Sequence, residues 1–258
     1  MNKLFIEFVV ILIVMLGASF SALGNTIEHI IETKELELCA HPQQMPISKK
    51  HEDAVLASGL QIDLARALAD KLNVRLNISW VINKRHVKDT ECDFYAGVAK
   101  LAGRESKYVQ ISDAYYRMTF VIVTLKQFPP IENPKQLNNL IVGVSPGSVA
   151  ARALHEYKIE TAVRFSDEES RLQALIDGKI DAAVVTSLAA NWFAKENKIE
   201  LGVNDVEMVF DISTNYDYAL GLRKANNETL IVFNNQLQGM KKDGTLSQLF
   251  EKYGIGPM

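Results

Sequence analysis

Short apolar runs alternate with longer amphipathic segments along most of the chain. Residues 35–39 and 74–80 alternate between apolar and polar side chains and predict strands, whereas leucines on one face of 59–72 predict a helix. Buried strands are predicted where apolar residues run together, at 93–98, 118–125, 140–144, 161–165, 181–185 and 218–222. Amphipathic patterns predict further helices at 149–157, 167–177, 187–195, 228–240 and 246–253. Ser166 is the predicted N-cap of the helix at 167–177, with Glu169 three residues further on.

The strand–helix–strand alternation occurs twice, before and after a proline-containing break at 127–134. This arrangement predicts an α/β fold with two lobes, each a mostly parallel sheet flanked by helices. Lobe one is predicted to comprise 25–125 plus 217–258, and lobe two 126–216. Two chain crossings, near 124–128 and 214–217, would then form a hinge.

The N-terminus has the features of a secretory signal peptide. Lys3 precedes an apolar run at 8–16, and small residues follow, with Ala22 and Gly24 in the pattern that signal peptidase recognises. Residues 1–24 are therefore the predicted signal peptide, and the mature chain is expected in the periplasm. The alternative is an uncleaved anchor, although the segment is short of the length a membrane span needs.

Charge and cysteine content narrow the function classes. The net charge of −3 and the lack of a basic cluster argue against a nucleic-acid-binding protein, which needs a positively charged surface. Cys39 and Cys92 are the two cysteines of the chain, and in an oxidising compartment they are expected to form a disulfide. Two buried free thiols are the alternative.

The turn at 143–147 fits the G-x-S-x-G pattern of serine hydrolases, but Pro146 has no N–H for an oxyanion hole. The turn is more typical of a binding loop. Gly147, Ser148 and Val149 would present backbone N–H groups at a helix N-terminus, where a carboxylate binds well. The histidines lack metal-site spacing and no cofactor motif is present, so we expect neither an enzyme nor a metal or cofactor.

Three segments together resemble family 3 extracellular solute-binding proteins, which serve amino acid importers: 59–68, 111–116, and 242–246 with the later Tyr253-Gly254. The resemblance implies two lobes that close on a ligand, with an arginine for the ligand carboxylate. Arg104 is the candidate arginine, and Ser148 stands at the assisting Gly-Ser turn. Thr186 stands where the family has an aspartate for the ligand amine, which weakens the case for an ordinary α-amino acid.

Further ligand contacts are expected from lobe one. Met45 and Tyr115 are candidates for apolar walls, and Ala96 and Gly97 for the end of a strand beside the ligand. For Tyr115, packing into the core of lobe one is the alternative.

A narrower resemblance is to solute-binding-like proteins encoded with PQQ-dependent alcohol dehydrogenases. It rests on 37–42 with Met45-Pro46, on Cys92-Asp93, and on 115–124. Two functions follow: a monomeric periplasmic protein that captures a small polar ligand for an ABC importer, or an accessory protein that binds a quinoprotein dehydrogenase. A third hypothesis is a periplasmic enzyme on the same scaffold, such as a dehydratase, which would require turnover of a small acid.

Overall fold

The computed structural model describes residues 25–52, 56–82, 87, 90–100 and 108–256. The predicted signal peptide and Arg104 lie outside these residues. Within this part of the chain, no helix is long and apolar enough to cross a membrane.

The first sheet and the helices around it form lobe one. Its strands are β1 (Glu35–Ala40), β5 (Arg75–Trp80), β6 (Phe94–Lys100), β7 (Val109–Met118) and β13 (Tyr216–Arg223). They lie in the order β5-β1-β6-β13-β7. The helices of this lobe are α1 (Ile27–Thr33), α2 (Leu60–Leu72), α7 (Asn227–Lys242) and α8 (Thr245–Lys252). A small antiparallel sheet of β2 (Gln43–Gln44), β3 (Ser48–Lys50) and β4 (Ala57–Ser58) lies between β1 and α2 in the chain.

The second sheet forms lobe two. Its strands are β8 (Phe120–Leu125), β9 (Val142–Gly143), β10 (Thr161–Ala162), β11 (Ala182–Thr186) and β12 (Leu201–Asp205). They lie in the order β10-β9-β11-β8-β12. The helices are α3 (Val149–Glu156), α4 (Glu168–Ile176), α5 (Ser187–Asn197) and α6 (Val206–Phe210), and a 3-10 turn spans Pro134–Leu137.

The two-lobed fold is confirmed, but the prediction of mostly parallel sheets is wrong because both sheets are mixed. In lobe one β1 pairs in parallel with β5 and β6, whereas β13 runs antiparallel to β6 and β7. In lobe two β9 pairs in parallel with β10 and β11, whereas β8 runs antiparallel to β11 and β12. The antiparallel strands are those that lie next to the two crossings between the lobes.

The predicted strand at 118–125 is two strands that belong to different sheets. Met118 ends β7 in lobe one, and β8 begins at Phe120 in lobe two. The first crossing therefore lies at Thr119, and the prediction of a crossing near 124–128 is wrong. The chain returns between Phe210, which ends α6, and Tyr216, which begins β13. We therefore propose the division into two lobes that the sequence predicts, except that β8 belongs to lobe two rather than to lobe one.

The predicted N-cap of α4 is also wrong by one residue. Asp167 caps the helix, and its side chain accepts a hydrogen bond from the Ser170 N–H in a reciprocal capping box. The extra carboxylate at the helix start suits the positive end of the helix dipole.

Each lobe has its own hydrophobic core, and Leu188 of α5 joins the core of lobe one. The large core of lobe one centres on buried side chains of β1, α2 and α7, including Leu38, Leu64 and Phe233. Cys39 and Cys92 form the expected disulfide in a small neighbouring cluster, with their Cα atoms 5.5 Å apart. The core of lobe two is divided into two clusters, one of them around Leu154 and Val184 and the other around Leu172 and Val185.

Candidate functional site: a cleft between the lobes

A cavity of about 620 Å³, called the cleft below, lies between the two lobes. Both lobes contribute to its walls, as expected for a site where strands of two sheets meet at a crossing. Lobe one contributes His41, Gln43, Gln44, Met45, Ile47, Met118, Tyr216 and Tyr218. Lobe two contributes Phe120, Ser145, Pro146, Phe165, Ser166, Asp167, Glu168, Arg171 and Thr186.

The lobe-one wall is held in shape by packing around Tyr218. The Tyr218 hydroxyl accepts a hydrogen bond of 2.8 Å from the Gln61 amide, and burial raises the pKa of this phenol. Gly97 leaves room for the ring, because a Cβ there would lie 2.2 Å from the Tyr218 hydroxyl. The predicted ligand residue Gly97 therefore shapes the wall from behind, and Tyr218 is the residue that lines the cleft.

Tyr115 belongs to the core, so the prediction of a Tyr115 wall is wrong. Its side chain is only 5 % exposed and packs beside Tyr218 and Phe250, and its hydroxyl donates a hydrogen bond to the Ala96 carbonyl. Ala96 is also fully buried. The strand alternation of β7 carries the Tyr115 ring away from the cleft, and the structure gives it a hydrogen-bond partner there.

The lobe-two wall is charged and is built around Thr186 at the end of β11. The Thr186 side chain caps α5 by accepting from the Ala189 N–H at 3.3 Å. Glu168, in the first turn of α4, accepts two hydrogen bonds from Thr186, one from its N–H at 2.5 Å and one from its hydroxyl at 2.9 Å. The carboxylate is thereby fixed at the edge of the cleft.

Arg171 lies one turn further along α4 and is 3 % exposed. Its guanidinium donates to the Val184 carbonyl at 2.6 Å and to the Ser145 hydroxyl at 2.7 Å, while its Nε has no partner among the described atoms. Ser145 is thus a hydrogen-bond acceptor for a buried cation, and Pro146 follows it without an N–H. This arrangement differs from that of a serine nucleophile, which needs a base as its partner.

The acidic groups of this wall have different pKa shifts. Burial raises the pKa of Glu168, although the hydrogen bonds from Thr186 and the charge of Arg171 oppose that change. For Asp167, burial again favours the neutral acid, but hydrogen bonds from Ser170 and Ser166 outweigh it and lower the pKa. Burial lowers the pKa of Arg171, against the opposing charges of Glu168 and Asp167.

A second cavity of about 340 Å³, the hinge cavity, adjoins the cleft and shares Phe120, Ser145 and Tyr216 with it. Ser148 and Val149 line this cavity. The Ser148 hydroxyl caps α3 by accepting from the Ala151 N–H at 3.1 Å. Gly147 has a φ of 71°, which favours glycine, and it lies in the turn between the two cavities.

Among the predicted ligand residues, Met45 and Thr186 line the cleft, and Ser148 and Val149 line the hinge cavity. The sequence analysis missed Glu168 and Arg171. An arginine on an otherwise apolar helix face could have indicated Arg171. An acidic residue in a first helical turn, such as Glu168, is too common to indicate a site. No cluster of side chains suited to a metal ion occurs in the described ranges.

The profile of the bacterial extracellular solute-binding proteins, family 3, matches residues 36–256. The L-cystine-binding protein TcyJ of Escherichia coli is 25 % identical over 81 % of this chain and 78 % of its own. A membrane-bound lytic murein transglycosylase F of Klebsiella pneumoniae is 27 % identical over 89 % of this chain, but the match spans 45 % of the length of that protein.

Among solved structures, an ancestral cationic amino acid solute binding protein superposes with a TM-score of 0.75 and 26 % identity, over 88 % of this chain and 99 % of that one. The match extends over both lobes and the cleft between them. Because the family profile covers nearly all of the described chain, the protein belongs to the bacterial extracellular solute-binding proteins of family 3.

Proposed function

We propose that the protein captures a small polar ligand, an amino acid or a related carboxylate, in the cleft and delivers it to an ABC importer. The observation that carries this proposal is the cleft itself, because its walls come from both lobes and its volume of about 620 Å³ suits a small molecule. The amino acids in the names of TcyJ and of the ancestral binding protein support the ligand class. The periplasm is the proposed location.

The mechanism is a shift of population between an open and a closed form. A ligand that contacts both walls of the cleft favours the form in which the walls are close together. Thr119 and the segment 211–215 connect the lobes and allow such a hinge motion. Met45 and Tyr218 would cover the apolar part of the ligand, Thr186 lies at the polar end of the cleft, and we expect Arg104 to bind the ligand carboxylate.

We further propose that the protein binds its ligand without chemical change. The turn at Ser145 supports this, because the hydroxyl accepts from Arg171 and is followed by Pro146. The activity in the name of the transglycosylase F is that of a protein more than twice the matched length. The accessory role beside a quinoprotein dehydrogenase stays a prediction from sequence, without support from these relatives.

A thermal shift panel tests the proposal. The full mature chain would be heated with each standard amino acid, L-cystine, succinate and glucose at millimolar concentration. We expect at least one amino acid to raise the melting temperature, since a ligand at about 100 times its Kd stabilises by about 2.7 kcal/mol. Glucose serves as the control for a non-specific solute effect.

Small-angle X-ray scattering with the amino acid that raises the melting temperature most then tests closure. The radius of gyration of a monomer should decrease on saturation. A flat thermal panel, or co-purification of a quinoprotein dehydrogenase with such a flat panel, would contradict capture of an amino acid-like ligand.

A further inference from the structure

Glu168 places a carboxylate directly beside position 186, where the chain has an uncharged residue. The side chain at 186 is a threonine, which is 8 % exposed at the end of β11 and has no charge to offer a ligand. Both hydrogen-bond donors of Thr186 point to Glu168, at 2.5 and 2.9 Å, so its carboxylate is held directly against that position. Glu168 also lines the cleft. The helix start of α4 therefore brings a carboxylate to the edge of β11 from 18 residues earlier in the chain.

The charge balance of this wall favours a cation. Among the described residues, lobe two contributes Asp167, Glu168 and Arg171 to the cleft, which is one negative charge in excess. The Arg171 guanidinium is directed to Val184 and Ser145 and forms no direct ion pair with Glu168. Asp167 accepts from Ser170 and Ser166 in the helix cap. Neither carboxylate has a direct ionic partner within the described residues, and Glu168 is the one of the two that is held against Thr186 at the end of β11.

The carboxylate retains the capacity to bind a ligand. A carboxylate offers about four acceptor positions on its two oxygens, and Thr186 uses one on each oxygen. The remaining positions can accept N–H groups of an ammonium ion. Partly buried charge pairs of this kind are stronger than exposed ones, because water screens them less.

We propose that Glu168, positioned by Thr186, binds the ammonium group of the ligand and selects amine-bearing ligands for this cleft. The inference rests on the proposed function and specifies its ligand as an α-amino acid or another small primary amine. It also removes the objection that Thr186 raised against such a ligand, since the missing carboxylate comes from α4. Thr186 acts as a positioning residue that supplies both hydrogen bonds to the carboxylate.

Isothermal titration of the full mature chain tests the inference with paired probes. Each standard amino acid and L-cystine would be titrated beside its α-hydroxy analogue, which keeps the carboxylate and side chain but lacks the ammonium. We expect the wild type to bind its best amino acid about 10- to 100-fold more tightly than the hydroxy analogue. Glu168→Gln should reduce this preference to nearly one, because glutamine keeps the shape but loses the charge.

Two variants separate charge from folding. Glu169→Gln removes an exposed carboxylate from the same helical turn and should leave the preference unchanged. Glu168→Gln combined with Thr186→Asp places a carboxylate on the neighbouring position while preserving an N-cap for α5, and should restore the preference. Circular dichroism melting of each variant confirms that it is folded.

The outcomes distinguish the two proposals. If the wild type binds hydroxy acids but no amino acids, or if Glu168→Gln keeps the full amine preference, the role of Glu168 is overturned while ligand capture stands. If no probe of either kind binds to the wild type, capture of such ligands fails, and the role of Glu168 fails with it.

Discussion

The two lobes differ in what they present to the cleft. The described lobe-one wall consists of neutral amides, methionines, tyrosines and an isoleucine apart from His41, and Tyr218 is fixed there by Gln61 and Gly97. The lobe-two wall carries the described acidic groups and a buried arginine. Among the described residues, this contrast indicates a division of work, in which the lobe-one wall provides shape and the lobe-two wall provides charge, while Arg104 of lobe one lies outside them.

The lobes also differ in how their folds are held together. Lobe one has the Cys39–Cys92 disulfide, and both cysteines of the chain lie in that lobe. Lobe two depends on packing in its two core clusters. If the division is correct, changes at the described residues of lobe one alter stability and shape, and changes on the lobe-two wall alter which ligands bind.

The largest expected effect comes from removing the disulfide. Replacing Cys39 and Cys92 with alanine should destabilise the fold by about 4 kcal/mol, from the entropy of a loop with a sequence separation of 53. Urea unfolding followed by tryptophan fluorescence would measure it, since Trp80 lies in β5 of the lobe that contains the disulfide. An unchanged unfolding midpoint in the double variant would contradict a stabilising disulfide.

The next effect concerns Asp93, beside the disulfide. Burial raises its pKa to about 6, with a further contribution from Glu37 and opposing effects of the hydrogen bond from the Glu37 N–H, His29 and Arg223. The folded state therefore holds a proton between about pH 4 and 6 that the unfolded state has lost. Because of this proton, Asp93 makes the free energy of unfolding rise as the pH falls through about 6.

Asp93→Asn should remove about 1–3 kcal/mol of this pH dependence between pH 7 and 4.5. Urea unfolding at each pH would measure it, and Asp113→Asn, which removes an exposed carboxylate from the same lobe, is the control. A wild-type slope in Asp93→Asn would show that another group carries the dependence.

Gly97→Ala tests whether lobe one provides shape. The added methyl would collide with Tyr218 and Gln61, so we expect a loss of stability of about 1–3 kcal/mol and a weaker affinity with an unchanged amine preference. Gly239→Ala is the matched control, because nothing lies within 4 Å of the new Cβ and alanine suits the interior of α7. A changed amine preference in Gly97→Ala would break the division.

The smallest effect is expected for Tyr115→Phe. The variant leaves the buried Ala96 carbonyl without its hydrogen bond and should cost about 1–2 kcal/mol in chemical unfolding. Its ligand affinity should equal that of the wild type, because the ring lies in the core. A large loss of affinity in titration would return Tyr115 to the ligand site.

Much of the fold could be predicted because the central elements have clear patterns. The alternation in β1, the leucine face of α2 and the apolar run of β11 all gave correct elements. The strands β7 and β12 were not predicted, and each is an edge strand of its sheet with a largely polar, half-buried pattern. An edge strand buries less, so its sequence is less distinctive.

The site could be predicted less well, because its key contact, between Glu168 and Thr186, joins two elements that only the tertiary fold brings together. Thr186 and Met45, which line the cleft, were predicted from sequence, Thr186 through a family resemblance and Met45 as part of an apolar wall. Glu168 was missed because its meaning comes from how α4 crosses β11, and no spacing in the sequence encodes that contact. Tyr115 was misplaced because alternation along a strand does not say which face meets the cleft.

A crystal structure of the wild type with the amino acid that binds most tightly tests the central claim most directly. We expect the ligand in the cleft, with its ammonium nitrogen at a charge-assisted hydrogen-bond distance of about 2.7–2.9 Å from the Glu168 carboxylate and Tyr218 beside its side chain. A ligand whose ammonium lies against lobe one, with Glu168 bound only to Thr186, would contradict the account.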